Sequence, residues 1–189
     1  MSKTRPRLPT AHLQPLPQEK PPNGTLLTVT FRIGPQLYGL PVSEVVEIVR
    51  LPALLTLAGS PPAIIGLLNL RGYYVPVLDG ATLVDEPPSY DVSNQIVIAG
   101  QTGQGMQKGE MVPLLGVRVD QVVDVHTFQT NQITALDPSI AAPLLRGVIN
   151  ASDRSVFLFN LASLQTMVRE AVPETPTDQL ESPQELATL

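Results

Sequence analysis

The chain has 189 residues, 43% of them apolar and only 15% charged, which is the composition of a globular body of one ordinary domain or two small ones and not of a disordered chain. The absence of Cys excludes a disulfide framework and a thiolate metal site, and the absence of Trp with few other aromatics leaves an aliphatic core. The net charge of −5 without a basic stripe argues against nucleic-acid binding, and no apolar run is long enough to span or insert in a membrane.

Residues 1–24 carry Lys3, Arg5, Arg7 and repeated prolines among polar residues, with no apolar stretch after the cations. They read as an extended, solvated tail and not as a signal peptide, so a cytoplasmic location is expected. Leu26 to Ile33 then alternates, with Leu27, Val29, Phe31 and Ile33 on one face, as in a half-buried strand. Gly34-Pro35 turns the chain into a hairpin partner, Gln36 to Leu40. Val42 to Val49 mixes helical spacing with β-branching and predicts a short helical turn at Ser43–Val46 that passes into a strand.

Ile64 to Leu70 and Tyr73 to Leu78 flank Arg71-Gly72 and read as a tight hairpin, with Gly72 supplying a positive φ. Pro76 cannot donate to a ladder, so its strand is expected at an edge or bulged. Asp85 to Asn94 is a polar linker. After it come strands at Gln95–Ala99 and Val112–Val119, joined by a Gly100–Glu110 loop, and a helix-to-strand region at Asp120–Val125. The approach to a second hairpin, Ala141–Asn150, leads to a strand at Val156–Leu161 and a helix over Ala162–Arg169. Residues 169–189 form an acidic, Pro-interrupted tail.

These elements are written twice. Tyr38 to Ile48 reads like Leu115 to Val125 at an offset of 77 residues, Gly39 matching Gly116. Gly66-Leu67-Leu68-Asn69 echoes Gly147-Val148-Ile149-Asn150 at an offset of 81, as does Val75–Leu83 against Val156–Leu164. One duplicated β-rich unit, with four residues inserted in the second copy, accounts for all three echoes. Short, evenly spaced strands predict an all-β fold of two small antiparallel barrels. Two like modules create a seam, and seams are where partners bind.

Catalytic constellations are poor. His126 lies two residues from Asp124, on one strand face, but no nucleophile elbow accompanies the pair and Ser60, Ser139 and Ser155 sit in turn-like contexts. His12 is remote in the tail, and two separated histidines give no metal-ligand spacing. The glycine-rich stretch Gly100–Gly109 departs from the phosphate-loop pattern, because Lys108 is followed by Gly109. No catalytic, cofactor or metal site is expected. The sharper signal is Asn69-Leu70-Arg71-Gly72. Arg71 places a planar cation on a hairpin tip, where it either pairs within the fold, for instance with Glu47, or serves a partner.

The motif Ile65-Gly66-Leu67-Leu68-Asn69-Leu70-Arg71-Gly72, followed by Val75-Pro76-Val77-Leu78-Asp79, resembles the CheW-like coupling proteins of bacterial chemosensory systems. Phe31, Tyr38-Gly39-Leu40, Val45 and Glu47-Ile48 agree, as do Gly116-Val117, Val119-Asp120, Asp124-Val125 and Gly147-Val148-Ile149. The resemblance covers roughly residues 25–168, with approximate halves 25–90 and 91–168. It implies two SH3-like five-stranded β-barrel subdomains with a few short helices, and a scaffold without catalysis. The implied partners are chemoreceptor cytoplasmic tips and the regulatory domain of a histidine kinase, in flagellar chemotaxis or in pilus-driven twitching motility. The implied receptor contact, in the groove between the barrels, takes Val45, Glu47, Gly66 and Arg71, beside the motif residues Asn69, Leu70 and Gly72. A small-molecule sensor barrel and an uncharacterised hydrolase are the competing readings.

Overall fold

The alternating segments pair into two sheets. A computed structural model describes residues 24–102, 111–136, 144–151 and 154–171. Residues 1–23, most of the Gly100–Glu110 loop, Ser139 and the acidic tail beyond residue 171 lie outside the described residues. In chain order the strands are β1 (Thr25–Ile33), β2 (Gln36–Pro41), β3 (Val45–Arg50), β4 (Ile64–Leu70), β5 (Tyr73–Asp79), β6 (Gln95–Thr102), β7 (Met111–Val119), β8 (Gln121–Gln129), β9 (Ile133–Ala135), β10 (Leu145–Ala151) and β11 (Arg154–Phe159). The helices are α1 (Gly80–Leu83), after β5, and α2 (Leu161–Ala171), after β11. A 3-10 turn over Val42–Glu44 feeds directly into β3, close to the helix-to-strand passage expected there.

The fold is mainly β, as predicted, but its closure is not. The strands form a six-stranded sheet, β8-β1-β2-β11-β10-β9, and a five-stranded sheet, β3-β6-β7-β5-β4. Among the described residues both sheets are open, in place of two closed five-stranded barrels; beyond β4 the described residues show an isolated bridge, Leu55 to Leu67. β5 is also interior, between β7 and β4, and not an edge strand. Pro76 is accommodated because the β5–β7 ladder starts one residue later, at Val77.

The duplication is legible in the hydrogen-bond register. Val45↔Ala99 and Glu47↔Ile98 between β3 and β6 have their counterparts in Val122↔Phe31 and Asp124↔Thr30 between β8 and β1, with a bulge at the same place. Ile64↔Leu78 and Gly66↔Val77 recur as Leu145↔Phe159 and Gly147↔Leu158. The parallel pair Val77↔Gly116 recurs as Leu158↔Gly39. The N–H of Asp79 donates to Ala63 at 2.8 Å, and that of Asn160 donates to Leu144 at 2.7 Å. The copies are therefore exchanged. Hairpin β1–β2 of the first copy pairs with β8 and β11 of the second, and β6–β7 of the second pairs with β3 and β5 of the first. The halves 25–90 and 91–168 mark the repeat but not the sheets, each of which draws on both.

Three apolar layers follow from strand alternation. On β6, Val97 and Ala99 face the cluster between the sheets, and Ile96 and Ile98 face a second cluster with Leu68, Val75 and Val77. On β11, Phe159 faces the central cluster and Val156 and Leu158 a third, with Phe128 and Ile149. Central strands buried on both faces read as continuous apolar runs, which is why Ile96-Val97-Ile98-Ala99 shows no polar alternation. The central cluster is closed by aromatic rings from both copies. Phe31 stacks on Phe159 with centroids 6.0 Å apart, and Tyr38 lies 5.3 Å from Phe159. Each fully buried side chain of this size contributes about 1.5–3 kcal/mol, so the interface between the sheets is a core and not a loose contact.

Candidate functional site

The β4–β5 hairpin tip is a two-residue loop in which both residues take positive φ, +51° at Arg71 and +93° at Gly72. That geometry matches the twist of the flanking strands. The side-chain oxygen of Asn69 accepts from the Gly72 N–H at 3.0 Å and fixes the turn. Leu70 turns inward onto the cluster beside β6, whereas Asn69 and Gly72 are exposed. Arg71 is thus a bulky residue in a left-handed conformation that costs about 1–2 kcal/mol outside glycine. A strained residue at an exposed tip is an observation that points toward function.

The guanidinium of Arg71 donates to Glu47 Oε2 on β3 at 3.0 Å. This is the pairing within the fold that the sequence left open, yet the Arg71 side chain is 70% exposed against 20% for Glu47. One contact to Glu47 leaves other donors of the five facing solvent. Glu47 is the more buried partner, and its Oε1 is buried without a hydrogen bond among the described residues.

The remaining residues of the expected contact divide. Gly66 lies on β4 with φ +149°, and a Cβ there would meet the Leu55 carbonyl oxygen at 2.7 Å. It is buried beneath the segment that precedes β4 and acts through backbone shape. Val45 is 4% exposed and belongs to the central core. The 3-10 turn before it sets the phase that points its side chain inward. Glu47 and Arg71 are brought together; Gly66 lies against residues 54 and 55, and Val45 packs in the central cluster.

Sequence reasoning missed two further ion pairs. Arg146 Nη1 on β10 donates to Glu44 Oε1 at 3.1 Å, tying the turn between the sheets to the six-stranded sheet. Burial pushes the Glu44 carboxyl above its ordinary range, against the opposing pull of Arg146. No local signal announces a pair so far apart in sequence. Asp79 and Arg118, by contrast, are buried charges, at 2.6 Å, with side chains 2% and 3% exposed. Asp79 also accepts from the N–H of Ala81 at 3.1 Å and the hydroxyl of Thr82 at 2.8 Å, capping α1. A signal existed here. In the repeat register these residues correspond to Asn160 and Pro41, so each copy contributes one charge to this facing pair, whereas the equivalent pair carries none.

His126 and Asp124 share a face of β8, as expected, with Nδ1 and Oδ2 3.8 Å apart and both side chains more than half exposed. His126 rests on the Phe128 ring, with centroids 4.8 Å apart. Among the described residues no group of three His, Asp or Glu side chains could hold a metal ion.

Comparison with known proteins places this geometry. Residues 27–169 match the CheW-like domain. A probable chemotaxis protein CheW of Rhizobium etli is 27% identical over 140 residues, covering 72% of this chain and 84% of that protein. A chemotaxis protein CheW of Klebsiella aerogenes is 29% identical over 71% of this chain and 78% of that protein. Protein FrzA of Myxococcus xanthus is 28% identical over 74% of this chain and 85% of its own. The crystal structure of the scaffolding protein TtCheW from Thermoanaerobacter tengcongensis superposes with a TM-score of 0.61 at 24% identity, over 71% of this chain and 88% of that one. The twofold strand register, the Asn69–Gly72 hairpin and a domain match that runs through both copies agree on one conclusion: the chain belongs to the CheW-like domain family.

Proposed function

We propose that this protein is a non-catalytic adaptor that couples chemoreceptor cytoplasmic tips to the regulatory domain of a histidine kinase in a chemosensory pathway. It acts in the cytoplasm and reaches membrane receptor arrays through its partners; no described helix is long and apolar enough to cross a membrane. Family membership and relatives that carry the names CheW and FrzA support this reading. Neither the sensor barrel nor the hydrolase finds support among those relatives.

The observation that carries the site assignment is Arg71. It is exposed, held in a strained turn, anchored at one end by Glu47 and left with donors to spare. Such a guanidinium suits carboxylate or carbonyl groups on a partner helix. Glu47 fixes its direction, Gly66 lets the strand pass close to residue 55, and the two-residue turn sets its height. The adaptor works by linkage. Binding a receptor at one surface and the kinase at another raises the effective concentration of each near the other, and a change of affinity at one surface is felt at the second.

Titration calorimetry of the full chain with a soluble receptor-tip fragment tests the site. Arg71→Ala raises Kd at least about tenfold, the loss expected for a moderate arginine anchor. Unchanged affinity removes Arg71 from the interface. Co-purification of receptor and kinase fragments on the wild-type chain tests the adaptor reading separately.

A further inference from the structure

A cleft of ≈ 650 Å³ opens at one end of the seam, where both sheets contribute walls. Arg32, near the end of β1, and Arg50, at the end of β3, line it beside Gln95, Asp120 and the connector that precedes β6. Gln95 ties the floor together, its Oε1 accepting from the N–H of Val122 at 2.6 Å. The connector wall is fixed by Arg118, whose Nη1 donates to the Ser89 carbonyl at 3.1 Å and whose guanidinium lies 4.0 Å from the Tyr90 ring centroid. The cleft is therefore preformed.

Its lining carries two guanidinium groups and two carboxylates, and these are not paired with one another. Asp91 accepts from the N–H of Ser93 at 2.8 Å and from the Ser93 hydroxyl at 2.7 Å. Asp120 accepts from the Gly34 N–H at 2.7 Å. Both carboxylates are thus engaged by neutral donors, while the guanidinium groups of Arg32 and Arg50 have no ion pair or hydrogen bond among the described residues. What is unmet is the set of guanidinium N–H donors, which planar carboxylates suit as acceptors. The fold does not require these cations, because the strand register places Gly100 and Thr127 at the corresponding points of the repeat. Beside them the connector exposes apolar side chains, Val92 at 95% and Tyr90 at 70%.

We propose that residues 172–189 of the same chain dock in this cleft, placing carboxylates on Arg32 and Arg50 and leucines against Val92. The segment holds Glu174, Asp178, Glu181 and Glu185 with no basic residue, and Leu180 and Leu186 between and after them. Its 18 residues reach about 60 Å when extended at about 3.4 Å each, more than the width of a domain whose radius of gyration is about 15 Å. Tethering gives it an effective concentration in the millimolar range, which a free acidic partner rarely matches. The acidic end of the chain then occupies one mouth of the seam in the unbound protein and is displaced when an acidic partner arrives. The docking itself does not depend on the adaptor reading.

The chain lacks cysteine, so a spin label can be placed at will in the full-length protein. A label on Val92→Cys broadens the amide signals of residues 174–186, whereas a label on Thr134→Cys, on the opposite edge of the six-stranded sheet from β8, leaves them sharp. Arg32→Ala with Arg50→Ala brings the broadening down to the level of the control label; Arg32→Lys with Arg50→Lys retains it. About 1 M salt, where the screening length is about 3 Å, also abolishes it. Sharp signals with the Val92 label overturn the proposal, as does broadening that survives the double alanine change. A mixture of labelled chains with isotope-enriched unlabelled chains must stay sharp; broadening in the mixture would assign the contact to a second copy.

Discussion

Replacing Arg71 by glycine separates the role of its side chain from the role of its backbone. At φ +51° the wild-type residue bears about 1–2 kcal/mol that glycine does not. Against that gain, glycine loses the Glu47 pair, worth about 0.2–1 kcal/mol at this exposure, and about 0.4–1 kcal/mol of chain entropy. The terms nearly cancel, so Arg71→Gly unfolds within about 1 kcal/mol of wild type, a shift of about 2–4 °C in Tm at most. Arg71→Ala keeps the strained conformation, loses the pair and falls below both. Receptor-tip affinity behaves differently. Both variants lose the donors, and an arginine anchor worth about 2 kcal/mol corresponds to about a thirtyfold rise in Kd. Urea unfolding and calorimetry on the three proteins give the test. A glycine variant destabilised by more than about 2 kcal/mol would make Arg71 a structural residue, and one that binds the receptor fragment like wild type would refute the contact.

Three further outcomes are expected. Gly66→Ala meets both a positive φ and the Leu55 carbonyl, and costs about 2–4 kcal/mol in urea unfolding, whereas its repeat counterpart Gly147→Ala meets the Thr134 carbonyl at 2.9 Å and Ile133 Cγ2 at 3.3 Å without a positive φ, and costs about 1–2 kcal/mol; equal costs would show that backbone strain is not the difference. Arg118→Met strands a buried carboxylate and costs about 3–5 kcal/mol, and adding Asp79→Asn restores part of the loss while keeping the α1 cap; strictly additive losses would show that the two groups do not interact. The carboxyl of Glu44 is raised on folding, so the folded state holds its proton more tightly; the associated stability is complete in acid and is lost as pH climbs through the raised value. Glu44→Gln therefore gains on wild type at about pH 7, and the gain closes toward about pH 4; denaturation curves whose difference is flat across that range would contradict the sign.

The residues differ in how much of this they announced. β1 was readable because Leu27, Val29, Phe31 and Ile33 alternate with polar residues, and the Arg71-Gly72 turn because its chemistry is local. The offsets of the repeat were readable as well, but a repeat is a translation along the chain and does not say whether a hairpin pairs with its own copy or with the other. Exchange of β1–β2 and β6–β7 was therefore invisible. β8 continues four residues past Val125 to Gln129 through mostly exposed side chains, so no apolar period marks its length. Val45 is placed in the receptor contact by resemblance alone, and its position in the central core shows only once β3 is packed. For Arg71 the residues offer two alternatives, a pair within the fold, for instance with Glu47, or a partner, and the Glu47 pair is formed. For Glu44 and Arg146 they offer no such pairing.

The exchanged hairpins also determine what would happen if the chain were cut in the connector. Neither fragment could complete a sheet from its own strands, since β1–β2 would lack β8 and β11, and β6–β7 would lack β3 and β5. Assembly would become a bimolecular reaction, dependent on dilution in the way of a swapped dimer. The covalent link between the copies makes stability independent of concentration.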